Sequence, residues 1–264
     1  MKWDQRLRLS GKCDIKKIGA STLAGIEDEL ENTLEFIEDL GLEYAEIVYQ
    51  YPHDSISIES LESFNLKYSI HAPFTDVNIA SLNEKARLSS IAQIKESLDL
   101  ANKISAEAVV IHPGTIAFLS NKYFRDEVYN VANSSIEEIG NYAYDLGVMA
   151  TIENMPTFNE MIYTNINDLN DLMMSLDMFM TLDIGHANHS GYAPDEMIFD
   201  SIKHVHIHDN FGDDDSHLAL GEGTIELKHI VDTLEGKNYS GIYIIEVNDT
   251  DSIKKSYDYM KENF

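Results

Sequence analysis

Metal-binding side chains recur along this chain at the ends of short apolar runs, and this pattern limits the possible folds more than any other feature. Each run of Val, Ile, Leu, Ala, Met or Thr is long enough to form a buried strand. A parallel barrel brings the carboxyl ends of its strands to one face, so these side chains would converge there. The six segments are SIHAP with His71, VVIHPG with His112, ATIEN with Glu153, TLDIGH with Asp183 and His186, HVHIHD with His206 and His208, and IIEV with Glu246. A seventh cluster, DDDSH with Asp215 and His217, lies in the loop after HVHIHD.

Strand-like and helix-like segments alternate along the chain after residue 15. The strand-like runs are nearly continuously apolar, and the stretches between them carry apolar residues at three- and four-residue spacing, which is typical of a parallel sheet covered by helices. Eight such units predict a single (β/α)8 TIM barrel over residues 16–264, with residues 1–15 as an N-terminal extension. A doubly wound open sheet is the alternative, but it gives no reason for donors at so many strand ends to converge.

The charge of the chain disfavours a nucleic-acid partner. There are 46 acidic and 19 basic residues, for a net formal charge of −27, and Arg6, Arg8, Arg87 and Arg125 are the only arginines. A protein that binds a phosphate backbone gathers Lys and Arg on one face, whereas this chain would repel a polyanion. DNA stays a possible but disfavoured partner.

Two further features concern the compartment. No apolar run reaches the length of about 18 residues that a membrane span requires, and the N-terminus has no apolar signal region. Cys13 is the only cysteine, so no internal disulfide can form. These features predict a cytoplasmic protein without a membrane partner, and they imply that any metal site uses nitrogen and oxygen donors.

The strand-end donors together predict a bound divalent cation. Glu153, Asp183 and Glu246 would repel one another and raise each other's pKa unless a cation lay between them. Such a cation would also account for the histidines at the same mouth. Imidazole and carboxylate without thiolate suit zinc, manganese, cobalt or iron(II) better than calcium or magnesium. Zinc is preferred here, with manganese or cobalt as alternatives.

Spacing alone leaves the roles of several side chains open. His186 could cap a helix or orient a ligand rather than bind metal. Asp215 and His217 fit a solvated turn as well as a metal site. His206 and His208 are two residues apart and face the same side of a strand, so one is expected to be a ligand and the other a supporting or substrate-binding group.

Five other residues are given no metal-binding role. Glu46 is expected at the end of the second strand, directed into the same mouth with a structural role. His53, His189, His204 and His229 show no partner pattern.

The ordered motifs HAPF, HPG, IEN, LDIGHA, VHIHDN, HLALGEG and IIEV resemble those of the xylose isomerase-like TIM barrels. That superfamily contains sugar and sugar-phosphate isomerases and epimerases as well as endonuclease IV (AP endonuclease family 2). The resemblance covers nearly all of the chain after residue 15. It is specific as an ordered set, while each motif alone is weak.

Similarity to endonuclease IV implies a phosphodiesterase that cuts DNA beside abasic sites. Those enzymes hold three zinc ions with nine side chains, and the resemblance carries this set to nine residues here. In such a site, metals would generate hydroxide and stabilise both the attacking and the leaving oxygen. The nine residues are His71, His112, Glu153, Asp183, His186, His206, Asp215, His217 and Glu246.

Similarity to the isomerases and epimerases implies a single ion held by Glu153, Asp183, His206 and Glu246. The ion would polarise a carbonyl and a neighbouring hydroxyl. One of Glu153 and Glu246 would remove a proton from carbon and the other would return it, while His186 would orient the sugar oxygens. The chain would then bind between one and three ions, depending on which branch it follows.

The surroundings of the donors favour the isomerase or epimerase reading, with a small polar substrate such as a sugar or sugar phosphate. YAEIVYQYP carries an acidic residue common in sugar isomerases, the segment between His186 and His206 is short, and Ser216 stands where the nucleases tend to carry a basic residue. Phe74 could still wedge into a DNA stack, as an aromatic does in the nucleases. Lys122 is the clearest basic residue for a substrate phosphate. Another small-molecule metalloenzyme and a non-enzymatic metal-binding barrel are further alternatives.

Overall fold

Eight parallel strands close into a barrel in which each strand pairs with the next along the chain and the last pairs with the first. The computed structural model describes residues 16–264, so the predicted extension of residues 1–15 lies outside the described residues. The barrel confirms the predicted (β/α)8 architecture. The strands are β1 (Lys17–Ser21), β2 (Tyr44–Val48), β3 (Lys67–His71), β4 (Val109–Ile111), β5 (Ala150–Glu153), β6 (Phe179–Asp183), β7 (Ile202–Ile207) and β8 (Ile242–Ile245).

Helices connect the strands. Their apolar faces pack on the barrel, and the strands are buried on both sides, which explains their continuous apolar runs. Among the described residues no helix is both long and apolar enough to cross a membrane. The α-helices are α1 (Leu30–Asp39), α2 (Ile58–Leu61), α3 (Glu84–Ile104), α4 (Phe118–Tyr123), α5 (Arg125–Leu146), α6 (Ile166–Leu176), α7 (Ile184–His189), α8 (Leu227–Gly236) and α9 (Thr250–Asn263).

Close packing of neighbouring strands requires a glycine in β1. Gly19 pairs with Tyr44 of β2 on one side and with Ile244 of β8 on the other. A Cβ atom at this position would lie 2.7 Å from the Tyr44 carbonyl oxygen and 2.8 Å from the Cδ1 atom of Ile244. The residue therefore allows the first and last strands to approach each other at the point where the barrel closes.

A one-residue irregularity separates β6 from β7. Met180 pairs with Ile202, but the next residue, Thr181, pairs with His204, so Lys203 is the extra residue in β7. After the bulge the register is regular, and Asp183 lies beside His206. This register brings two of the predicted donors to the same level of the barrel.

Candidate metal centre

The predicted donors lie together at the carboxyl ends of the strands. His71, Glu153 and Asp183 are the last residues of β3, β5 and β6, while His112 and Glu246 directly follow β4 and β8. His206 lies within β7, and His186 lies in the short helix α7 that follows β6. Asp215 and His217 come from the loop after β7. Parallel strands and their loops thus place all nine predicted donors at one mouth.

A central group surrounds the Nδ1 atom of His206. This atom lies 3.1 Å from Glu246 Oε2, 3.4 Å from Glu153 Oε1 and 3.9 Å from Asp183 Oδ2. All four side chains are buried. One donor atom from each lies within 4.8 Å of the others, so the four residues could hold one ion.

Glu153 also belongs to a second group with two histidines. Its Oε2 atom lies 3.4 Å from His71 Nε2 and 3.2 Å from His112 Nε2. His112 is partly exposed, whereas the other two are buried. Since Glu153 faces the central group with one oxygen and this pair with the other, it could bridge two ions.

A third group forms around Asp215. Its Oδ2 atom lies 3.1 Å from His186 Nε2 and 3.3 Å from His217 Nε2. His208 lies close to the same group, with Nε2 3.7 Å from Asp215 Oδ1. The donor atoms of these four residues lie within 4.8 Å of one another.

The chemistry of the three groups fits a bound cation. Within these groups four buried donor atoms have no hydrogen-bond partner in residues 16–264: Glu153 Oε2, Asp183 Oδ2, His206 Nδ1 and Asp215 Oδ1. Buried polar atoms without partners are costly in a folded protein, and metal coordination removes that cost. The donors present therefore fit a divalent metal with nitrogen and oxygen ligands.

A buried polar layer lies directly beneath the central group. Glu46 is in the middle of β2, so the prediction that it lies at the end of this strand was wrong. Its carboxylate contacts His206 Nε2 and His204 Nε2, each at 2.8 Å, and accepts a hydrogen bond from Ser69. His206 therefore faces the central group with one ring nitrogen and Glu46 with the other. Such carboxylate–histidine contacts orient metal ligands and raise their basicity.

His204 was missed as part of the site. It is buried, its ring contacts Glu46, and it packs edge-on against the ring of His206. The signal that could have found it is the alternation in HVHIH, since residues 204, 206 and 208 share one side of a strand. The other histidines without an assigned role have different partners: His53 donates to the Asp28 carbonyl, His189 accepts from the Thr157 amide, and His229 pairs with Asp195 at the surface.

The sequence matches one family over most of its length. Residues 34–263 fit the xylose isomerase-like TIM barrels. The chain belongs to this family.

Relatives of this family member include both epimerases and nucleases. An uncharacterized protein of Methanocaldococcus jannaschii is 32% identical, over 93% of this chain and 88% of its own length. Fructoselysine 3-epimerase of Escherichia coli O157:H7 is 24% identical over 62% of this chain and 61% of its own. Probable endonuclease 4 of Aquifex aeolicus is 26% identical over 72% of this chain and 73% of its own.

Solved structures of similar shape include sugar epimerases. A D-tagatose 3-epimerase-like protein matches this xylose isomerase-like barrel with a TM-score of 0.85 and 31% identity, over 94% of this chain and 96% of that one. A D-psicose 3-epimerase solved in the presence of D-fructose matches with a TM-score of 0.78 over 93% and 97% of the two chains. Its identity of 16% means that it supports the fold alone.

Electrostatics in this barrel's mouth are governed by contacts between imidazole and carboxylate. Burial raises the pKa of Glu246, but the positive charge of His206 outweighs this effect and brings the pKa to about 2. Burial lowers the pKa of His217, but its contact with the Asp215 carboxylate raises the pKa to about 9. Glu246 is thus held ionised by the charge of His206, and a bound metal ion would supply positive charge at the same place.

Two other predicted site residues have different surroundings. The Phe74 ring packs against His71 at 5.0 Å and against His112 at 5.1 Å between centroids, so it covers the second donor group instead of standing free as a wedge. Lys122 lies in α4, exposed, beside a cavity of about 460 Å³ that Phe118 and Glu160 also line. That cavity lies between the loops that follow β4 and β5.

Proposed function

We propose that this protein is a divalent-metal-dependent epimerase or isomerase that moves a proton at a carbon next to a carbonyl in a small sugar or sugar phosphate. The observation that carries the proposal is the pair of carboxylates, Glu153 and Glu246, that flank one candidate metal position at His206 Nδ1. The epimerases among the similar structures and relatives support it.

The central group supplies both parts of the proposed chemistry. A divalent ion held by Glu153, Asp183, His206 and Glu246 would polarise the substrate carbonyl and a neighbouring hydroxyl. Glu153 or Glu246 then takes a proton from the carbon, and the other carboxylate returns one. Since the two carboxylates belong to β5 and β8, they can act on opposite faces of a substrate held between them, which inverts the carbon centre.

His186 orients the substrate oxygens in this proposal. Its Nδ1–H donates to the Asn154 carbonyl oxygen at 2.9 Å and its Nε2 atom lies 3.1 Å from Asp215 Oδ2, so the position of the ring is fixed from two sides. The preferred metal is zinc, with manganese or cobalt as alternatives, because all the donors are imidazole and carboxylate. A cytoplasmic location stays a prediction from the single Cys13.

Proton exchange with solvent tests the proposal. The metal-loaded protein is incubated in D2O with a panel of ketoses and their phosphates, and deuterium incorporation beside the carbonyl is followed by NMR. We expect exchange with at least one sugar, and its loss in Glu153→Gln. Glu127→Gln, an exposed change on α5, is the matched control and should keep full activity. Absence of exchange across the panel would contradict the proposal.

A trinuclear phosphodiesterase is the second candidate function. It is favoured by one observation, namely that the three donor groups are contiguous and that Glu153 is shared between two of them. The net charge of −27 opposes it, because association with DNA would be electrostatically unfavourable.

Metal content and strand cleavage separate the two candidates. About three zinc ions per chain, together with cutting of an abasic-site duplex at low salt, would support the nuclease. One tightly bound ion and an intact duplex would support the epimerase. Glu153→Gln should abolish either activity, so it tests the site and not the substrate.

A further inference from the structure

His208 follows β7 at the edge of the central group and is fully buried. Its Nε2 atom donates to Asp183 Oδ1 at 3.2 Å. The same oxygen accepts the backbone N–H of His186 at 2.6 Å. Asp183 Oδ2, by contrast, has no hydrogen-bond partner in the described part of the chain and faces His206 Nδ1. The two oxygens of Asp183 therefore have different roles: one is held by protein donors and the other is left for a cation.

The orientation of the ring argues against His208 as a ligand of the third group. Its ring stacks on that of His217, with centroids 3.9 Å apart and planes at 10°. The lone pair of an imidazole nitrogen lies in the ring plane, so two nearly parallel stacked rings cannot both direct a lone pair at one ion. His217 already faces Asp215 with Nε2 at 3.3 Å. In this arrangement His217 is the donor and His208 is its support.

A glycine makes room for the ring of His208. A Cβ atom at Gly185 would lie 1.9 Å from His208 Cε1 and 2.3 Å from His208 Nε2. Any larger residue at 185 would push the ring away from Asp183. The ring is thus confined by the backbone of α7 on one side and by His217 on the other.

We propose that His208 is a positioning residue that fixes Asp183 with Oδ2 directed at the metal of the central group. His208 donates a hydrogen bond to Asp183 Oδ1, and its ring stacks on the ring of His217. His208 therefore contacts both the central group and the third group. The proposal rests on the proposed metal centre, but not on which reaction the metal serves.

Metal titration of the full-length protein tests the role of His208. Zinc affinity is measured by competition with a chromogenic chelator, and stoichiometry by elemental analysis at saturating zinc. For His208→Asn we expect the affinity of the central site to fall about 10- to 100-fold with the number of bound ions unchanged, as is typical when the partner of a metal ligand is lost. His208→Gln should recover part of the affinity, because its amide nitrogen can reach Asp183.

A second variant tests the hydrogen bond between His208 and Asp183 without changing either residue. Gly185→Ala leaves His208 in the sequence but displaces its ring, so it should lower zinc affinity in the same way. Gly236→Ala is the matched control, since an added Cβ at that position meets nothing within 4 Å. The absorption of the cobalt-substituted protein should change in both site variants and not in the control.

Three results would overturn the proposal. One fewer bound ion in His208→Asn would make His208 a ligand. Unchanged affinity in both His208→Asn and Gly185→Ala would show that Asp183 needs no support. Equal loss of affinity in Gly236→Ala would assign the effect to general destabilisation. Because none of these measurements uses a sugar, the positioning role can hold even if the epimerase reaction fails its own test.

Discussion

At the scale of single residues, Glu46 lies below the candidate ligands, and a substitution there tests how they are supported. Burial raises the pKa of this carboxyl, but the charges of His206 and His204 outweigh burial and hold the pKa well below its ordinary value. The carboxylate is therefore ionised inside the barrel and depends on its two histidines.

We expect Glu46→Gln to destabilise the chelator-treated protein by about 3 kcal/mol, because removing one partner of a buried ion pair leaves the other charge uncompensated. Urea denaturation measures this change. Glu43→Gln is the control, because that side chain is exposed and its ion pair with Lys67 is long, at 4.0 Å. The effect of this substitution on the free energy of unfolding should stay within about 0.5 kcal/mol. Equal stability of the two variants would show that Glu46 does not compensate the histidines.

The stability of chelator-treated protein should depend on pH through His217. Its pKa in the folded protein is about 9, above the ordinary value of 6.5, so its contribution is complete below pH 6.5 and is lost as the pH rises through 9. We expect the free energy of unfolding to fall over this window by at most about 3 kcal/mol. The fall should be smaller in His217→Asn, and an identical profile in the two proteins would exclude this role.

The convergence of the candidate ligands could be predicted from sequence, but the residues that support them could not. The nine donors each follow a strand-like run or lie in an ordered motif, so a local pattern finds them. Glu46 and His204 contact each other across 158 positions, and neither has a local signal that names its partner. The role of His208 depends on a ring orientation, which spacing does not determine.

At the scale of strands and helices, the alternating pattern predicted all eight strands because each is a short apolar run with a helical stretch after it. Some strands end before the polar residues of their motifs, because the backbone of those residues leaves the hydrogen-bonding pattern of the sheet. His112 and Glu246 follow their strands, and His186 lies in the first turn of α7. The bulge at Lys203 had no sequence signal, since it depends on how β6 and β7 pair.

The closing contact between β1 and its neighbours gives a prediction at this scale. Gly19→Ala should lower the free energy of unfolding by about 1 to 3 kcal/mol, because the new methyl group meets a backbone oxygen that the β1–β2 pairing holds in place. Chemical denaturation measures the loss. Gly236→Ala, at the end of α8 with open space around it, should leave stability unchanged or slightly raise it.

At the scale of the whole molecule, the cluster of carboxylates should link metal binding to global stability. Chelation should lower the melting temperature, and added zinc should restore it, because an ion that binds only the folded protein stabilises it by about 2.7 kcal/mol at a concentration of 100 times its Kd. Differential scanning calorimetry measures the shift. Calcium should restore much less, since the histidine donors suit it poorly. A melting temperature that is insensitive to chelation would contradict a metal at the buried centre.

The unpaired residue Lys203 determines which side chains of β7 face the barrel axis. Because side chains alternate along a strand, pairing Lys203 with Thr181 in regular register would bring Val205 beside Asp183 and turn His204 and His206 outward. The barrel could still close, but this part of its mouth would be lined with aliphatic groups. The candidate metal centre thus depends on one residue that takes no place in the strand pairing. Homologues that keep the centre are therefore expected either to keep this bulge or to lack its one extra residue, as an alignment of the strand in many genomes can check.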